Sequence, residues 1–150
     1  MTNTELKNTM ESWFKDLTFS NEEGKFLIVE VPKDSFKAFS QKLKETGFDY
    51  LFAMTGMDFG EALGVTLHVE STQSRQMVQF TIKTDDRENP VLDTVHDVWP
   101  ATYYNEMEVF DLFGIRFDGH PDMRRLFMPE DWKGYPLRKD YVDEVNMLIR

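Results

Sequence analysis

Apolar positions recur along this chain with two periods, and the alternation between them marks out its elements. Leu6, Met10, Trp13, Phe14 and Leu17 return every three or four residues, the spacing of an amphipathic helix. Phe26 to Val31 reads as a strand closed by Pro32. Asp34 or Ser35 can cap a second helix, whose Phe36, Phe39 and Leu43 share one face and whose end is set by Gly47. Three strand-like runs follow, Phe48 to Met57, Leu63 to Ser71 and Gln76 to Lys83, with a hairpin turn at Ser71 to Ser74. Asn89-Pro90 offers an N-cap and a first-turn proline for a short helix through Val91, Leu92, Val95 and Val98. A last helix runs from Ala101 to Phe113 and stops at Gly114. The order is α-β-α-β-β-β-α-α, which predicts an α+β fold, a two-layer α/β domain on a mixed sheet.

Both periods fail after Gly114. The 28 residues from Gly114 to Tyr141 hold three Gly, three Pro and five aromatics, so regular structure is interrupted every few positions. A loop of that length is either functional or disordered. Ile115, Phe117, Leu126, Phe127, Met128, Trp132, Leu137 and Tyr141 are too many large apolar groups for a solvated linker, so the segment must be buried against something. The expected organisation is an α/β domain over residues 1–98, then a helix and an extended partner-binding arm over 99–150 in the same structural unit.

Charge sharpens this picture. The chain of 150 residues carries 17 Lys plus Arg against 27 Asp plus Glu, a formal charge of -10. Such a field repels phosphate backbones and anionic lipid, which argues against nucleic-acid binding. The arm itself is nearly balanced, with six basic and five acidic residues. Four of its cations are Arg116, Arg124, Arg125 and Arg138, whose planar forks bind carboxylates bidentately. Glu106, Glu108 and Asp111 on the preceding helix are natural partners, so the arm is expected to be pinned by Arg–carboxylate pairs to its own helix or to another subunit. There is no Cys, which excludes a disulfide, a thiolate nucleophile and a Cys-ligated metal site. No apolar run approaches the roughly 20 residues of a spanning helix, and the N-terminus lacks the apolar core of a secretion signal. A peripheral protein in a reducing compartment is expected.

Candidate catalytic groups are few. Glu108 and Asp111 share a helical face, and His120 stands in a Gly-His-Pro turn, so a small enzyme built on these three is one reading. The nearby arginines favour ion pairing for the two acids, and a lone His favours a structural hydrogen bond. Asp85, Asp86 and Glu88 lack the alternating ligands and central Gly of a calcium loop and read as a solvated turn.

The stretch Trp99 to Tyr141, WPATYYNEMEVFDLFGIRFDGHPDMRRLFMPEDWKGYPLRKDY, resembles the signature of the C subunit of NADH:quinone oxidoreductase, respiratory complex I. The matching positions are Trp99, Pro100, Glu106, Glu108, Asp111, Phe113 to Ile115, Gly119 to Asp122, Arg124, Arg125, Pro129, Asp131, Trp132, Gly134 and Pro136 to Tyr141. Met107 stands where the family pattern has Arg, and Tyr135 where His is common. The resemblance implies a cofactor-free scaffold subunit on the cytoplasmic side of the inner membrane. It would pack against the quinone-site D subunit and neighbouring subunits of the hydrophilic arm, which carry the FMN and iron-sulfur clusters. It would support electron transfer from NADH to quinone coupled to proton translocation, with no catalytic, cofactor or metal residue of its own. Arg124, Arg125, Trp132, Pro136, Leu137, Arg138, Lys139, Asp140 and Tyr141 are then the expected interface. Glu106, Glu108, Asp111, Gly114, His120 and Pro121 are the expected structural motif. A related subunit of energy-converting membrane hydrogenases is the alternative.

Overall fold

The computed structural model describes residues 1–21 and 23–142. Helix α1 (Asn3–Trp13) is capped by Thr2, whose side chain accepts from the Glu5 amide at 3.1 Å. It is followed by β1 (Thr18–Asn21), β2 (Phe26–Glu30), a 3-10 turn (Lys33–Ser35), α2 (Phe36–Glu45), β3 (Tyr50–Asp58), β4 (Leu63–Glu70) and β5 (Met77–Thr84). The chain then forms β6 (Val91–Asp93), α3 (Thr102–Phe113) and β7 (Arg116–Asp118).

Five strands make one mixed sheet in the order β1-β2-β5-β4-β3, with β2 and β5 parallel and every other pair antiparallel. Alternate residues of each strand point to one face. Leu27, Val29, Val65, Leu67, Val69, Val78, Phe80 and Ile82 therefore form a single apolar layer, joined by Leu6 and Met10 of α1 and by Phe36, Phe39 and Leu43 of α2. The Phe36 and Phe39 rings lie 6.4 and 5.2 Å from Phe80, and Trp13 and Phe14 close over Phe39 at 6.1 and 6.3 Å. Trp99, 1 % exposed, ties the second half of the chain to this core. Its ring sits 6.1 Å from Phe80, and its indole N–H donates to the Phe48 carbonyl at 3.0 Å.

Three points depart from expectation. Val91 to Val98 is not a helix: its first three residues form β6, which pairs in parallel with β7, and α3 is the crossover between them. A buried Glu106 holds the turn after β6, accepting from the Thr94 hydroxyl and from the Val95 amide at 3.0 Å. The edge strand β1 was not expected at all. Ser35, proposed as the α2 cap, makes no side-chain cap bond; the 3-10 turn leads the chain into the helix instead. Gly47 (φ +115) and Gly114 (φ +79) end their helices in the left-handed region, as expected from the sequence.

Candidate functional site

From Gly119 to Val142 the described chain forms turns and bends with no helix or strand; residues 143–150 of the expected arm lie outside the described residues. The arm is fastened to its own fold at two carboxylates. The first is Asp111, on the last turn of α3 and with a side chain 0 % exposed. Its Oδ2 accepts from the amides of Leu126, Phe127 and Met128 at 3.3, 2.6 and 3.0 Å, and its Oδ1 from Arg125 Nη1 at 3.2 Å. Arg125 is the hub of this half of the arm. Nη1 also reaches the Asp111 carbonyl, and Nη2 donates to the carbonyls of Trp132 (3.1 Å) and Gly134 (2.8 Å). A guanidinium suits this role because its fixed fork serves several acceptors at once.

The second clamp is Asp58 at the end of β3, 2 % exposed at its side chain. Arg87 grips it bidentately at 2.7 and 2.9 Å, and the Lys139 amide donates to it at 2.9 Å. Arg87 reaches Asp140 as well, at 3.2 Å. Hydrogen bonding from Arg87 holds the Asp58 carboxyl well below the usual carboxylate range, so this clamp stays charged far into acid.

Between the clamps, Tyr135 is sandwiched by cations, with Arg125 4.7 Å and Arg138 5.1 Å from its ring. Arg138 Nε donates to the Phe113 carbonyl at 2.6 Å, and the Leu137 amide to the Leu112 carbonyl at 3.0 Å, so the arm also caps the C-terminus of α3. Gly114 is compatible only with a bare backbone here, because a Cβ would lie 2.6 Å from the Tyr135 ring.

His120 is occupied on both nitrogens. Nε2 lies 2.8 Å from the Tyr103 carbonyl, which requires it to donate, and Nδ1 accepts from the Asp122 amide at 3.0 Å. The ring orders the turn that begins with the exposed Pro121. Asp111 is equally saturated with donors. Of the three helix acids, Asp111 alone pairs with an arm arginine among the described residues. Arg124 pairs with Asp122 at 2.9 Å, Glu106 turns inward to Thr94 and Val95, and Glu108 is exposed with no ion pair among the described residues. The separation between α3 acids and arm arginines in sequence did not reveal which would meet. The Asp58–Arg87 clamp was missed entirely, since nothing local marks two residues 29 positions apart.

Burial pushes the Glu106 carboxyl above its ordinary value of 4.5, against the opposing hydrogen bonds from Thr94 and Val95. The folded state thus holds this proton more tightly than the unfolded one, and the associated stability is fully present below pH 4.5 and lost as pH rises through the elevated folded value. Glu106→Gln should flatten the fall in urea midpoint between pH 4.5 and neutrality. A midpoint that falls as steeply in the variant as in the wild type would show that Glu106 is not its source.

The clamped arm leaves three large apolar side chains outside, set among charged ones. Phe127, Leu137 and Val142 are 65, 53 and 64 % exposed, while Trp132, Pro136 and Tyr141 are half-buried beside them. Lys139 and Asp140 are exposed at the Asp58 end. The arrangement has the anatomy of a preorganised binding surface, pinned from below by ion pairs and presenting large side chains above.

The sequence model of the respiratory-chain NADH dehydrogenase 30 kDa subunit family matches residues 29–145. The NADH-quinone oxidoreductase C/D subunit of Phocaeicola vulgatus is 47 % identical over 122 residues, covering 80 % of this chain and 24 % of that protein. This chain therefore spans about a quarter of the length of that relative. The NADH-quinone oxidoreductase C subunit of Moorella thermoacetica is 36 % identical over 113 residues, covering 74 % of this chain and 76 % of the other. Among solved structures, a trypsin-resistant fragment of Nqo5 superposes with a TM-score of 0.72 at 27 % identity, over 81 % of this chain and 99 % of that one. A chain of the membrane-bound sulfane sulfur reductase, an archaeal respiratory membrane complex, shares the fold with a TM-score of 0.81 at 22 % identity, over 95 % of this chain and 86 % of that one. Among the described residues no helix is long and apolar enough to cross a membrane. With its sheet, its signature residues and most of its length matched in this way, the chain belongs to the respiratory-chain NADH dehydrogenase 30 kDa subunit family.

Proposed function

We propose that this chain serves as the C subunit of a proton-translocating NADH:quinone oxidoreductase and that its work is mechanical. It docks through its arm onto the quinone-site D subunit and holds that partner in register with its neighbours on the cytoplasmic face of the membrane. FMN and the iron-sulfur clusters sit on the partners, and this chain supplies no ligand to them. The observation that carries the reading is the arm itself, clamped at Asp111 and Asp58 and turning Phe127, Leu137 and Val142 outward. Large apolar groups on a rigid support are what an interface anchor requires. The Phocaeicola vulgatus relative carries the C/D name, which supports the quinone-site D subunit as the partner. The likeness to a chain of an archaeal respiratory membrane complex supports a second reading, the equivalent scaffold in a complex with another reaction.

In this scheme, Arg125 and Arg138 bind inward and shape the surface rather than touch the partner. Phe127 and Val142 are the cleaner probes. Being mostly exposed, they should change the stability of the free chain by no more than about 0.5 kcal/mol when substituted. Phe127→Asp combined with Val142→Asp should reduce the quinone-site subunit recovered with a tagged copy of this chain at least tenfold. Recovery equal to wild type would refute the docking role.

A further inference from the structure

The sheet ends at β3 in an edge that carries no further strand among the described residues. Strand β3 has nine residues, pairs on one side with β4, and has no strand on its other side among the described residues. Natural sheets guard such edges with proline, lysine, bulges or very short strands. The opposite edge obeys this rule, because β1 has four residues and its register shifts between Phe19 and Asn21. Strand β3 does not. Its one irregularity lies between Leu51 and Ala53, and from Met54 to Asp58 it runs in unbroken register with neither Pro nor Lys.

Alongside this regular half lies a groove of about 150 Å³ between β3 and α3. Its lining includes Gly56, on which the Phe113 ring packs so closely that a Cβ there would come within 2.6 Å of it, together with Val109, Leu112 and Leu137. Glu108 stands on its rim. That carboxylate is exposed and has no ion pair among the described residues, and three arginines that follow it are engaged elsewhere, Arg116 over the Phe110 ring, Arg124 on Asp122 and Arg125 on Asp111. The rim therefore calls for a cation from outside. Leu137 belongs both to this groove and to the outer surface of the arm, so the two surfaces are continuous.

We infer that the β3 edge accepts an extended segment of the quinone-site subunit as an added strand. One apolar side chain of that segment enters the groove beside Leu112 and Leu137, and an adjacent Lys or Arg lies against Glu108. Main-chain pairing to an open edge supplies affinity in such additions, and alternate side chains supply selectivity. A strand laid on β3 would point every second residue toward α3, which is where the groove and the carboxylate are. This rests on the docking reading above and adds a second, separate point of contact to it.

The chain has no Cys, so Thr55→Cys and Glu108→Cys each create a unique attachment point. In the co-purified complex with the quinone-site subunit, each variant would be treated with a maleimide–succinimidyl ester crosslinker and the products mapped by mass spectrometry. Both variants should crosslink to one short lysine-containing stretch of that partner, and Lys25→Cys, exposed at the start of β2, should not. Glu108→Arg should lower recovery of the quinone-site subunit at least fivefold, with Glu108→Gln affecting it less. Crosslinks to a second copy of this chain, to scattered lysines, or to nothing would overturn the edge-docking inference. If that happens while Phe127→Asp with Val142→Asp still abolishes recovery, the arm reading stands and only the added strand is lost.

Discussion

Replacing Asp111 with Asn should release the upper half of the arm while leaving the five-stranded sheet folded. The side chain keeps its shape, but an NH2 group now faces donors that previously met an oxygen. The guanidinium of Arg125, 10 % exposed, also loses its only counter-charge among the described residues. Removing one member of a buried pair costs about 3–5 kcal/mol, most of it the penalty of the stranded charge. The loss falls on the arm, because the groups bonded to Asp111 are the amides of Leu126, Phe127 and Met128 and the side chain of Arg125. A loss of about 3 kcal/mol corresponds to a rise of about a hundredfold in the open population. Trypsin should therefore cut after Arg124 or Arg125 about a hundred times faster in Asp111→Asn, with hydrogen exchange in β4 and β5 unchanged. Cleavage at the wild-type rate would mean that the arm is held by other contacts.

Trp99→Ala should act in the opposite way, destabilising the whole domain at once. Its ring is 1 % exposed and packs on Phe80 in the central strand β5, and its N–H bonds the Phe48 carbonyl just ahead of β3. Truncating a buried Trp costs about 3–5 kcal/mol through lost packing and the cavity left behind. For a domain of this size that is a fall in Tm of about 10 °C. Trp99→Phe restores most of the volume but leaves the Phe48 carbonyl without its donor, and should cost about 1–2 kcal/mol. The check is thermal unfolding followed by circular dichroism, with a shift under about 3 °C for Trp99→Ala counting against the bridging role. Together the two variants separate arm from body: one opens a segment and the other lowers a single cooperative transition.

Much of the sheet was readable from residue pattern. In β4 and β5 the alternation of Val, Leu, Ile and Phe with polar residues is unbroken, because one face is the core. Helix α2 was equally plain, with Phe36, Phe39 and Leu43 at helical spacing. Strand β6 resembles a helix in sequence because Val91, Leu92, Val95 and Val98 imitate a helical face, while its partner β7 lies beyond α3 and leaves no local trace. Strand β1 escaped because four residues, Thr18 to Asn21, are too few to show a period. At the site, the sequence made plain that α3 acids and arm arginines were available to one another. It could not rank them. Asp111 holds Arg125 because it is buried where the arm folds back on the last turn of α3, whereas Glu108, three residues earlier, is exposed. The arm was expected to be buried against something; its backbone rests on its own fold, and its apolar outer side chains are what remains for a neighbour.

The double fastening of the arm has a kinetic consequence. Because Asp111 and Asp58 grip the same segment at positions 125–128 and 139, opening either one leaves the loosened end tethered close to its seat. A tether of that length keeps an effective concentration in the millimolar range, so re-closure outruns escape until both grips fail together. A docking partner can then exchange contacts with the arm one end at a time, without the subunit ever shedding it.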